Sequence, residues 1–157
     1  MVLAACGYRP LTASLPGGRR SVRVVLPDPS RTDEPQLAIM LARELCRELA
    51  RAGVRADTAS AAEAELTTRI ISLTAARPVL VDSALAAETL TLRLELSLRD
   101  RDGAALWRSG LVEVDAPRAV GRGALTSESA RRRALAAISV EAARRAVMLL
   151  TLSSATR

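Results

Sequence analysis

Residues 89–99 read TLTLRLELSLR, and no other stretch limits the fold of this chain so tightly. Leucine fills every even position from Leu90 to Leu98. Thr89, Thr91, Arg93, Glu95, Ser97 and Arg99 fill the odd ones. A helix would scatter those leucines around its axis, whereas a strand sends successive side chains to opposite faces. The run is therefore a half-buried strand with one apolar and one wet face, and the apolar face needs a cover. Asp100-Arg101-Asp102-Gly103 supplies a turn, with glycine where a positive φ is wanted. Ala105–Asp115 (ALWRSGLVEVD) then returns antiparallel.

The cover comes from two amphipathic segments. Leu37, Met40, Leu41, Leu45, Leu49 and Ala52 recur at helical spacing. Asp33 is the expected N-cap of that helix, with Glu34 and Pro35 in its first turn. Gly53 stands where a helix ends in a left-handed residue. Arg43, Arg47 and Arg51 line its outer side, crossed by Glu44 and Glu48, which reads as a solvated face before it reads as an anion grip. A second helix runs from a cap at Thr126 or Ser127, with Glu128 in its first turn, to about Leu152. Leu135, Ile138, Ala142, Ala146 and Leu149 form its inner stripe, and Arg131, Arg132, Arg133, Arg144 and Arg145 crowd the outside.

Between these lie two shorter expectations. Val22–Leu26 is a strand stopped by Pro27 and Pro29, and Glu65–Ala75, rich in Thr, Ile and Leu, is another. Residues 7–21 carry two prolines and three glycines and read as an extended leader; residues 54–64 read as a connector, and 117–123 as a loop. The loop 76–87 has Val79-Leu80-Val81 at its tip, either a contact surface or a flap over the core edge. The order β-α-β-β-β-α predicts a two-layer α/β sandwich: two helices packed on one face of a mixed, mostly antiparallel four-stranded sheet.

Composition narrows the function. The chain has no histidine, so it lacks the usual general base near neutral pH and the commonest metal ligand. Catalytic motifs such as GxSxG and HExxH, phosphate-binding glycine loops and dinucleotide fingerprints are missing. The carboxylate pairs Asp100/Asp102 and Asp33/Glu34 sit in a turn and a cap. No enzyme, cofactor or metal is expected. The net charge is +6 and all 23 basic residues are arginine, a planar fork suited to phosphate and carboxylate. An RNA-reading sheet would also need aromatics on its open face, and the wet face of strand 86–99 has none. Ala146–Thr156, the longest apolar stretch, is too short to span a bilayer.

Cys6 follows Leu3-Ala4-Ala5 as in a lipoprotein processing site, or is an ordinary small hydrophobe near a terminus. Cys46 reads as a buried inert thiol, with a Cys6–Cys46 disulfide as the alternative.

Ala5-Cys6-Gly7-Tyr8-Arg9 is followed by Leu15-Pro16-Gly17-Gly18, Arg31-Thr32-Asp33-Glu34-Pro35 and Arg77-Pro78. The hairpin Leu90–Leu111 comes next, with Asp102-Gly103 and Leu106-Trp107, and an arginine-rich final helix closes the chain. Together they resemble the LptE family, lipopolysaccharide-assembly lipoproteins of Gram-negative outer membranes. No single motif is diagnostic; the resemblance lies in their order and spacing over nearly the whole length. It implies that residues 1–5 are the remnant of a lipoprotein signal, that Cys6 is the acylated N-terminus, that 6–21 tether it, and that 22–157 form a single domain. It further implies a non-enzymatic role as plug and assembly partner of the LptD β-barrel, handling lipopolysaccharide on the periplasmic side of the outer membrane. Arg93, Arg99 and Arg101, on one presented edge, are the anion contacts to test, against ordinary solvation. An auxiliary lipoprotein of an ABC-type lipid transporter is the alternative, and a basic nucleic-acid-binding domain the third reading.

Overall fold

The computed structural model describes residues 15–57, 62–76, 87–119 and 124–155. Cys6 and the Val79-Leu80-Val81 tip lie outside them. The elements are β1 (Ser21–Val25), α1 (Pro35–Arg51), β2 (Arg55–Asp57), β3 (Ala64–Ala76), β4 (Ala87–Asp100), β5 (Ala105–Ala119) and α2 (Ala124–Ala155). The leucine ladder folds as its period requires. Leu90, Leu92, Leu94, Leu96 and Leu98 are all buried, and the residues between them are exposed or half-buried. β4 pairs antiparallel with β3 and with β5, so Leu94 lies in a row with Ile70 and Val112. Both helices cover that face: Leu37, Leu41, Leu45 and Leu49 from α1, Leu135, Ile138, Ala142 and Ala146 from α2. Trp107 packs against the edge of the same core. None of the described helices is long and apolar enough to cross a membrane.

The sheet has five strands, in the order β2-β1-β3-β4-β5, rather than the expected four. The added one, Arg55–Asp57, lies inside the supposed connector and pairs parallel to β1, Ser21 opposite Arg55. Three residues with no apolar run leave no pattern to read. What places them is the helix end before them. Gly53, at φ 80, closes α1 with Gly53 N–H donating to Ala50 O and Val54 N–H to Leu49 O, and Val54 is buried. The chain thus emerges beside β1, where Arg55 N–H donates to Arg20 O at 3.0 Å.

Other boundaries also move. The N-cap of α1 is Glu34, not Asp33: Pro35 takes the first helical position, and the Glu34 carboxylate pairs with Arg131 of α2. α2 begins at Ala124, which puts Thr126 and Ser127 inside the helix instead of at its cap and moves Glu128 past the first turn, where it bonds Arg132 at 3.0 Å. Leu150 is buried in the inner stripe, whereas Leu149 is only half-buried. β5 continues through Pro117 to Ala119 where a loop was expected; it is an edge strand, and an edge tolerates a missing N–H. Cys46 is half-buried, packed against the core.

The last residues of the supposed leader are folded. Leu15 is 0% exposed. Pro16–Gly18 make a 3-10 turn closed by Leu15 N–H to Arg19 O and Gly18 N–H to Leu15 O, both 2.9 Å. Gly17, at φ 79, sits 3.4 Å (as a Cβ would) from Leu106 of β5.

Candidate functional site

β1, β2 and β3 begin, and β4 ends, at one end of the sheet. Arg19, Arg20, Arg23, Arg55, Arg99 and Arg101 gather there with Glu63, Glu65, Asp100 and Asp102. Two open hollows of about 260 and 340 Å³ meet at Asp100 and Arg101. The first is flanked by Arg23 and Arg99, the second by Arg19 and Arg55.

The carboxylates at this end are mostly engaged. Arg19 Nη2 lies 2.5 Å from Asp100 Oδ2, tying the folded leader to the hairpin, and Arg23 pairs with Glu65. Glu63 accepts from the backbone N–H of Arg20 at 2.8 Å and of Ser21 at 3.4 Å, while its own N–H donates to Ser21 Oγ at 3.1 Å. The Arg20 amide does most to hold the Glu63 carboxyl below its ordinary value of 4.5. Desolvation opposes it, and the Ser21 amide, Arg19 and Arg55 reinforce it. Arg20, Arg55, Arg99 and Arg101 are exposed and have no carboxylate partner among the described residues.

Since folding lowers the Glu63 pKa, its contribution is present above the unfolded value and is lost as pH falls through the folded one. Glu63→Gln is therefore expected to flatten the acid limb of stability over the range that begins near the ordinary value of 4.5 and runs below it. Thermal melts across that range check it, and an acid limb as steep as that of the parent chain refutes it.

Of the three arginines singled out in the sequence, the structure brings two together. Arg99 and Arg101 both line the first hollow, and Arg101 lines the second as well. Arg93 is six residues back along β4, about 20 Å away at a strand's rise. Its Nε donates to Glu113 Oε2 at 2.5 Å, one of several cross-strand contacts on the open face beside Arg69–Glu95 and Thr91–Asp115. That charge is answered within the sheet. Sequence reading missed Arg19, Arg20 and Arg55, which reach this end only through the folded leader and the unread strand β2. The doublet after Gly17-Gly18 was the sole local sign. Cys6, the expected lipidation site, is outside the described residues.

A family model described as LptE, lipopolysaccharide-assembly, matches residues 20–150. No curated protein matches the chain. Among solved structures, a protein from Caulobacter crescentus CB15 superposes with a TM-score of 0.64 at 16% identity, over 87% of this chain and 92% of that one. Lipoprotein B from Nitrosomonas europaea gives 0.56 at 15% identity, over 97% and 92%. A minor lipoprotein from Acinetobacter baumannii gives 0.56 at 16%, over 86% and 94%. At such identities these likenesses show a shared fold.

Proposed function

Because this chain belongs to the LptE lipopolysaccharide-assembly family, we propose that it is a lipid-anchored, non-enzymatic plug and assembly partner of an LptD-type β-barrel, on the periplasmic side of the outer membrane. The observation that carries this reading is the arginine-lined end of the sheet, where Arg99 and Arg101 stand exposed without a carboxylate partner among the described residues. Arginine forks there suit the phosphates of lipopolysaccharide. The rest of the surface suits a polar barrel lumen. The open sheet face is laced with charge pairs, and the outer sides of both helices carry arginines such as Arg43, Arg132 and Arg144. A plug of this kind buries more than roughly 2,000 Å², as obligate partners do.

In this reading Cys6 carries the acyl chains, several of which hold a protein to a bilayer far more firmly than one. Cys6 is nine residues before Leu15, so the tether proper spans at most about 30 Å. Residues 15–21 belong to the folded domain.

Two measurements test the proposal. Purified from its native membrane, the protein should bring down a large β-barrel; recovery of inner-membrane transport components instead would favour the ABC-transporter alternative, and salt-sensitive retention on RNA or DNA the nucleic-acid one. The double variant Arg99→Glu/Arg101→Glu should bind purified lipopolysaccharide at least ten-fold more weakly, since a charge-assisted contact is worth about 1.5–3 kcal/mol. Arg93→Glu should change it little, its partner being Glu113. Unchanged affinity in the double variant ends the assignment of these contacts.

A further inference from the structure

The point where the described chain enters the domain lies at the same end of the molecule as four exposed arginines, Arg20, Arg55, Arg99 and Arg101, that have no carboxylate partner among the described residues. Leu15 is fully buried, and Arg19 bonds Asp100, so whatever precedes residue 15 meets the domain at the sheet end that carries Arg20, Arg55, Arg99 and Arg101. Arg55 on β2 and Arg99 on β4 are three strand spacings apart, about 14 Å. That breadth exceeds one headgroup contact. Three of the carboxylates here are engaged within the domain: Asp100 with Arg19, Glu65 with Arg23, Glu63 with two backbone amides. Asp102 stands at the tip of the turn, on the hairpin side of the second hollow, with Arg19 and Arg55 on the other.

We infer that the β1–β2 corner of this end, built from Arg20 and Arg55 beside the second hollow, is a docking surface for the anionic headgroups of a phospholipid bilayer. The inference shares with the proposed function only the lipid anchor; the charge contact itself needs neither acyl chain nor lipopolysaccharide. With the entry of the described chain at Leu15 and the arginines at one end, an acyl anchor carried before Leu15 would act together with them on the same surface. The tether confines the domain near the bilayer and the arginines set which end faces it, so the attachments reinforce each other. The sides of the sandwich stay available to a protein partner.

The test uses the full chain with Cys6→Ser, which removes the acylation site, and vesicles of phosphatidylcholine with or without about one-third phosphatidylglycerol. The chain should sediment with the acidic vesicles, fail to do so with pure phosphatidylcholine, and be released by salt. An arginine near an anionic surface is worth about five-fold in partition, so Arg20→Gln/Arg55→Gln should lower binding about twenty-five-fold. Arg43→Gln/Arg144→Gln removes the same charge from the outer sides of the helices and should bind as the parent does. Three results overturn the inference: no binding to acidic vesicles, full binding by Arg20→Gln/Arg55→Gln, or an equal loss in the Arg43/Arg144 variant. Lipopolysaccharide affinity of Arg20→Gln/Arg55→Gln should be retained while that of Arg99→Glu/Arg101→Glu falls, so the two ideas fail separately. Circular-dichroism melts confirm that each variant is folded.

Discussion

Leu94→Ala is expected to destabilise the fold by about 2–5 kcal/mol, the range for emptying a sealed aliphatic site. Leu94 is 0% exposed, on a strand flanked on both sides, between Ile70 and Val112, which are themselves buried. The neighbours in that row are held by two ladders and cannot collapse into the gap. In a domain of this size each kcal/mol lowers the melting temperature by about 2–4 °C, so the midpoint should fall by roughly 10 °C. The proper comparison is Leu111→Ala. Leu111 lies opposite Glu95 on the uncovered face, 59% exposed, and its loss should move stability by no more than about 0.5 kcal/mol. Equal melts for the two variants would mean that the helices do not cover the face assigned to them.

Leu15→Ala carries the second large effect, about 2–4 kcal/mol. In a tether the same change would cost almost nothing, because a solvated residue has no packing to lose. In this fold Leu15 is fully buried at the start of a 3-10 turn whose Gly17 meets Leu106 and whose Arg19 meets Asp100. Truncating it opens a cavity beside the hairpin that carries Arg99 and Arg101. Two readouts are expected to move together: the denaturation midpoint, and the susceptibility of the chain to proteolysis just before β1. A variant as stable as the parent would restore the whole of residues 7–21 to the role of leader.

The difference between these two leucines separates what was legible in the sequence from what was not. Leu94 belongs to a run of five leucines at period two, and its burial could be read from eleven consecutive residues. Leu15 sits between a serine and a proline, next to two glycines, in a stretch with every local mark of an extended segment. Nothing in its neighbourhood points inward. Its burial depends on segments far along the chain: the turn it starts packs Gly17 against Leu106 of β5, some ninety residues on. Gly53 gives a case between the two: as a helix stop it was plain, yet the strand that its turn launches was not, since Arg55-Ala56-Asp57 holds its place through backbone pairing with β1 and the packing of Ala56 on the core.

The candidate site follows the same division. Arg99 and Arg101 flank a turn of obvious chemistry and were found from it. Arg93, grouped with them by its place on the wet face, turned out to be answered by Glu113 across the hairpin, and cross-strand register is not written in one strand. Arg20 and Arg55 came into view only with the fold.

Periodicity, helix stops and the hairpin turn were settled by the order of residues, because each arises from contacts within a few positions along the chain. Which strand ends converge, which charges find partners, and where the leader stops being a leader were settled in three dimensions. Those outcomes depend on pairings between segments tens of residues apart, and backbone hydrogen bonds, which form such pairings, carry no side-chain signature.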